Sequence, residues 1–253
     1  MDVAVDSELH GRLAKLARET GTTLFMVVQA ALAVMFTKLG AGTDIPLGTV
    51  VAGRGDEALE DVVGFFVNTL VLRTDLSGNP TFAELLGRVR DADLAAFANQ
   101  DVPFERLVDA LQPTRSLSHH PLFQTMLIFQ NNAAAGLDMA GVRAEIESVD
   151  AGVAKFDLSL SLGESADGLT GMLEFATDLF DRATAELLVE RLIAVLRAAA
   201  DEPSAPISAI QLLTPAERHR ALVDWTPPPR TSPSSPCRNS SPAGSRKPRT
   251  PPS

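Results

Sequence analysis

Residues 24–36 constrain the fold more than any other stretch of this chain. Thirteen residues in a row are apolar except Gln29, so a helix here has no face left for water. A helix that is apolar all round belongs inside a protein or a membrane. Thirteen residues fall short of the roughly 20 needed to span a bilayer. The segment therefore predicts a central helix wrapped by other elements, opened by Thr23 and stopped at Gly40. An amphipathic helix precedes it: Leu9, Leu13, Leu16 and Ala17 share one face, Ser7 is placed to cap its start, and Gly21 ends it.

Apolar strands and helices alternate from there on. Residues 45–53 read as a strand with Pro46 near its start, and residues 65–74 as a second, rich in β-branched and aromatic side chains. Asn79 and Pro80 begin a helix reaching about Ala98, with Phe82, Leu85, Leu86 and Val89 inward. Asp101 and Pro103 suit the start of a short helix at 104–111, since proline tolerates the first turn and an acid favours its dipole. Four more strands are expected at 123–130, 142–149, 156–163 and 169–175. In the third of these Leu158, Leu160 and Leu162 alternate with Ser159, Ser161 and Gly163, which predicts one buried face. Asp181 caps a long helix with Leu188, Leu192, Val195 and Ala199 on one stripe. A last short helix runs from Thr214 to about Trp225. The pattern is that of an α/β fold, without an internal repeat.

After Trp225 the composition changes. Residues 226–253 hold nine of the 17 prolines, many serines and almost no large apolar side chain, which predicts a disordered tail behind a folded domain at 1–225. The tail contains Arg230, Arg238, Arg246, Lys247 and Arg249 and no acid. The chain's net charge is −10, so the body carries −15. An acidic body argues against a nucleic-acid partner. The single cysteine, Cys237, excludes a disulfide framework, and no Cys/His/Asp cluster has the spacing of metal ligands. The amino end lacks the basic start and apolar stretch of a signal peptide, so a cytoplasmic protein without a membrane partner is expected.

Four motifs occur in fixed order: Gly-Thr-Val-Val-Ala-Gly-Arg at 48–54, Gly-Phe-Phe-Val-Asn-Thr-Leu-Val-Leu-Arg at 64–73, Asn-Gln-Asp-Val-Pro-Phe-Glu at 99–105, and His-Pro-Leu-Phe-Gln at 120–124. With Lys-Phe-Asp-Leu at 155–158 and Ala-Thr-Asp-Leu-Phe-Asp at 176–181, they resemble the carboxy-terminal lobe of a nonribosomal peptide synthetase condensation domain over about residues 5–225. That resemblance implies one lobe of a chloramphenicol acetyltransferase-like two-lobed fold, a mixed sheet flanked by helices. It implies substrates carried on the 4′-phosphopantetheine arms of peptidyl carrier proteins, and an amide bond formed in a tunnel between the lobes. No cofactor is expected to bind directly, and an N-terminal lobe is an expected partner.

The resemblance also implies a His-His-x-x-x-Asp-Gly motif at the lobe junction, which this chain lacks. Its one adjacent pair, His119 and His120, has Gln124 and Thr125 where the motif needs Asp and Gly. No catalytic residue is therefore assigned, and the chain is expected to be inactive alone. His10 is expected to be exposed on its helix, and His219 lies in the charged terminal helix. Ser159 and Ser161 lie in no Gly-x-Ser-x-Gly turn and are explained as the polar face of a strand. Gly48 and Gly53 suit tight strand packing and a turn.

Candidate tunnel-wall residues are Arg54, Asn68, Arg73 and Gln100. Asn68 either faces the tunnel or satisfies a neighbouring backbone. Arg54 and Arg73 either meet phosphopantetheine phosphates or carboxylates, or pair with Asp56, Asp75 or another local acid. Gln100, with Asp101, either sets a helix start or contacts substrate or carrier. Rival readings are a non-catalytic lobe that complements a separate N-terminal lobe, and a gene remnant whose tail is a shifted frame. A free-standing acyltransferase is the weakest, since it too needs the histidine motif.

Overall fold

The computed structural model describes residues 1–53, 62–114, 116, 119–130, 138–139, 142–143, 152–165 and 167–224. Arg54, Asp56, Trp225, Cys237 and the tail at 226–253 lie outside them, as does most of the strand expected at 142–149.

Residues 1–212 form one unit. Its strands are β1 (Asp2–Asp6), β2 (Asp44–Val51), β3 (Asn68–Asp75), β4 (Thr125–Gln130), a two-residue pair β5 (Asp138–Met139) and β6 (Val142–Arg143), then β7 (Leu158–Ser165) and β8 (Gly168–Phe175). Six of them make a mixed sheet in the order β1-β8-β7-β4-β2-β3. The strands β2, β4 and β7 run parallel, and β3 and β8 run against their neighbours.

Alternation gives the sheet two unlike faces. Val3, Val5, Ile45, Leu47, Leu127, Leu158, Leu160, Leu162 and Leu173 form the floor of the core. Against it pack α1 (Ser7–Thr20), α2 (Leu24–Lys38), α3 (Phe82–Phe97) and α5 (Arg182–Asp201). The apolar run is the inner helix α2, buried at every position from Met26 to Met35. Ser159, Ser161, Met172 and Glu174 turn to the other face, as the Leu/Ser alternation predicts.

Caps fix the helix ends. Thr23 Oγ1 accepts from Met26 N, Asp181 from Thr184 N, and Gly21 closes α1 in the left-handed conformation at φ 63°. Helix α3 starts with a capping box in which Thr81 and Glu84 exchange bonds. Pro103 precedes α4 (Phe104–Leu111) without a side-chain cap.

Three features differ from the sequence reading. The first is β1, whose two buried valines alternate with Asp2, Ala4 and Asp6 too briefly to announce a strand, yet whose residues pair with all of Gly168–Met172. The second is the α1 cap: Asp6 accepts from Leu9 N at 2.8 Å, and Ser7 is already helical. The third is His10, which is partly buried and sits 3.0 Å from Glu164 Oε1 across the unit.

One joint in the sheet is thin. β2 and β4 align at a single pair, Gly48 with Met126. A side chain reinforces it: Thr49 Oγ1 donates to Leu127 O at 2.8 Å. The Phe123 ring fills the space that a Gly48 Cβ would take, so this glycine is required by close approach.

Residues 213–253 form a second unit. Its described part is α6 (Pro215–His219), boxed by Thr214 and Glu217, followed by a π-helical turn at Arg220–Asp224.

Candidate functional site

A cleft of about 520 Å³ opens at the carboxyl ends of β2, β4 and β7. Open α/β sheets bind ligands at this end of their parallel strands. Phe25, Phe97 and Phe129 give it apolar walls. Thr23, Thr49 and Glu164 add polar groups, and the amino end of α2 opens into it.

Around β3, Asn68 is the best-connected of the expected tunnel residues. Its Nδ2 donates to Gln100 O at 2.7 Å and Val102 O at 2.8 Å, while its Oδ1 accepts from Thr69 N at 2.9 Å and Phe104 N at 3.2 Å. Both donors and both acceptor sites of the amide are thus spent on backbone. The side chain ties the start of β3 to the loop between α3 and α4. This brings Asn68 and Gln100 together through the Gln100 carbonyl.

Arg73 lies elsewhere. It is five residues further along β3, hence on the opposite face, and 73% of its side chain is exposed. It pairs with Asp44 on the adjacent strand, where Arg73 Nε donates to Asp44 Oδ1 at 3.2 Å. Hydrogen bonding to Arg73 holds the Asp44 carboxyl below its ordinary value. The local acid is thus Asp44; the expected alternative Asp75 instead sits 3.7 Å from Arg88.

Sequence reasoning missed an aromatic cluster that joins two of the four motifs to the Lys-Phe-Asp-Leu segment. Phe104, His120, Phe123 and Phe156 pack with ring centroids 4.1–6.0 Å apart. Their common location on the sheet face opposite the helices follows from Phe123 lying on Gly48. Burial lowers the His120 pKa, opposed by the Phe123 backbone. A partly buried imidazole among phenyl rings explains His120 as packing, with His119 exposed beside it and its Nδ1 3.3 Å from the His120 carbonyl oxygen. The signal was present in the sequence, since three of these residues lie in motifs, but nothing there says that the motifs converge.

Among the described residues no group of three or more His, Cys, Asp or Glu side chains could hold a metal, and no single helix is long and apolar enough to cross a membrane.

The profile of the Condensation domain family matches residues 1–222. The chain belongs to that family. This condensation domain is 54% identical over 227 residues to the probable nonribosomal peptide synthetase CymA of Salinispora arenicola, covering 87% of the chain and 3% of that protein. It is 49% identical over 227 residues to a dimodular nonribosomal peptide synthase of Bacillus subtilis, covering 87% of the chain and 10% of the relative. Among solved structures it is similar to the X-domain from teicoplanin biosynthesis, with a TM-score of 0.79 and 36% identity, over 84% of this chain and 49% of the other. The condensation-domain chain thus spans a small part of these synthetases and about half of the X-domain. The mixed sheet and its helices are those of one lobe of that fold, as the motifs implied.

Proposed function

We propose that this chain forms one wall of the amide-forming tunnel of a nonribosomal peptide synthetase, and that it requires an N-terminal lobe to act. In this reading peptidyl carrier proteins deliver two thioesters on 4′-phosphopantetheine arms in the cytoplasm. The amine of one attacks the carbonyl of the other, and the histidine motif comes from an amino-terminal lobe. The observation that carries it is the match to only 49% of the X-domain fold, with the cleft at the strand ends open. Catalysis between lobes needs groups held within fractions of an ångström, and one wall cannot supply that geometry. Arg54, Asn68 and Gln100 are the residues assigned to this wall, Asn68 through its hold on the Gln100 loop, whereas Arg73 lies on the opposite face of β3 in its pair with Asp44.

The test is a condensation assay with loaded donor and acceptor carriers, run with this chain alone and with an amino-terminal lobe from a close relative added. Product only in the mixture supports the proposal. Turnover by the chain alone, or a mixture that associates and stays silent, overturns it.

A second reading, a binding lobe without catalysis, draws on the apolar side chains at the end of the second motif's approach. Val63 and Phe65 are 100% and 91% exposed, and bare apolar groups of this size mark interaction surfaces. Association with an amino-terminal lobe without product formation is its expected outcome.

A further inference from the structure

Gln29, which interrupts the apolar run, is the centre of a polar cluster sealed inside the core. It is fully inaccessible, as is Asp93 of α3, and Thr74 of β3 is nearly so. Gln29 Nε2 donates to Asp93 Oδ1 at 3.0 Å and to Thr74 Oγ1 at 3.3 Å. Two acceptors, Gln29 Oε1 and Asp93 Oδ2, find no partner among the described residues. An ionised carboxylate in such a place is costly, because it is desolvated with no cation to offset it. A proton on Asp93 removes the charge and turns one orphaned acceptor into a donor.

We propose that Gln29, Asp93 and Thr74 form a proton-dependent clamp, in which the protonated Asp93 carboxyl locks the last turns of α3 to α2 and β3, and its ionisation loosens residues 98–102. The placement supports this. Asp93 lies one turn before Phe97, where α3 ends, and Ala98, Asn99 and Gln100 hang from the carbonyls of Leu94, Ala96 and Phe97. This is the segment whose Gln100 and Val102 carbonyls Asn68 holds.

Charges on the surrounding elements are engaged elsewhere. On α3 itself Arg90 bonds Asp91 and the Thr20 carbonyl. On β3 Arg73 pairs with Asp44, and Asp75 with Arg88. On α1 Lys15 pairs with Glu19, and on α2 Lys38 donates to Ser208 O. Burial pushes the Asp93 pKa up to about 6 against the opposing Gln29 bond, and no neighbouring charge contributes. The folded state therefore keeps a proton that the unfolded chain releases above its ordinary 3.8. Stability falls as pH rises from there through about 6, and levels off beyond.

The test follows the Asp93 carboxyl of the full chain by carbon-13 NMR, and compares denaturant unfolding and amide exchange of wild type and Asp93→Asn from pH 4.5 to 8. The expected carboxyl midpoint is near 6. The wild-type unfolding constant, relative to the variant's, should rise about tenfold per pH unit below that midpoint. Protection at 98–102, with exchange corrected for its intrinsic rise with pH, should fall above it in the wild type alone. A midpoint near 3.8, parallel pH profiles for the two proteins, or protection lost equally throughout the chain each overturns the clamp. Should Asp93→Asn fail to fold, the wild-type carboxyl midpoint and the wild-type exchange pattern decide the matter.

Discussion

Asn68 and Gln100 are joined by a 2.7 Å hydrogen bond from the Asn68 side-chain amide to the Gln100 carbonyl, 32 residues away in sequence. The same amide reaches Val102 and Phe104, so one side chain fixes where the loop from α3 meets α4. Its removal should be felt in stability before it is felt in any chemistry. Asn68→Ala is expected to cost about 1–3 kcal/mol, since it leaves several partly buried backbone groups without partners. Asn68→Asp should cost more, because it replaces the donor facing two carbonyls with an acceptor. Urea denaturation of the two variants checks the order.

Arg73 should behave in the opposite way. Its pair with Asp44 is exposed on both sides, and such bridges contribute about 0–1 kcal/mol. Arg73→Ala is therefore expected to leave the unfolding midpoint nearly unchanged. If a reconstituted two-lobe assembly then loses activity with this variant, Arg73 acts on a ligand; unchanged activity leaves it as a surface pair.

Two close glycine contacts should respond differently to a methyl group. At Gly48 the obstacle is the Phe123 ring, and at Gly171 it is the backbone of Ser161 and Leu162. Gly48→Ala should destabilise by about 1–3 kcal/mol and be partly rescued by Phe123→Leu. Gly171→Ala has no side chain to trim, so no such rescue is expected. A double-mutant cycle by chemical denaturation separates the two cases.

How much of this was legible beforehand depended on sequence distance. The caps Gly21, Thr23 and Asp181, the buried helix and the Leu/Ser strand were readable because each rests on neighbours a few residues away. β1 was missed because five residues carry too little alternation, and its partner strand lies more than 160 residues on. Asp6 was passed over as a cap because Ser7, another capping residue type, follows it directly. Gln29 looked like a blemish in an apolar run, since its partners lie 45 and 64 residues away. The four motifs revealed the family, whereas the meeting of Phe104, His120, Phe123 and Phe156 required the fold.

Asp181 offers a test by acid. The backbone N–H of Thr184, followed by its hydroxyl, holds the Asp181 carboxyl below its ordinary 3.8. A depressed folded pKa contributes stability that is complete above the ordinary value and is lost as pH falls through the folded one. Asp181→Ala should therefore lower the melting temperature at pH 7, with the gap narrowing in strong acid. Asp181→Asn keeps a capping oxygen and should fall between the two at pH 7.

A sheet resists shear rung by rung, and between β2 and β4 it has one rung. The β2–β3 hairpin, aligned along eight pairs within itself, is a stiff plate riveted to a second plate of β4, β7, β8 and β1. The rivet is a glycine, a threonine hydroxyl and the edge of a phenyl ring. Load applied to the hairpin, with the Gln100 loop fastened to its corner, would concentrate on that line and leave the leucine-lined floor on either side undeformed.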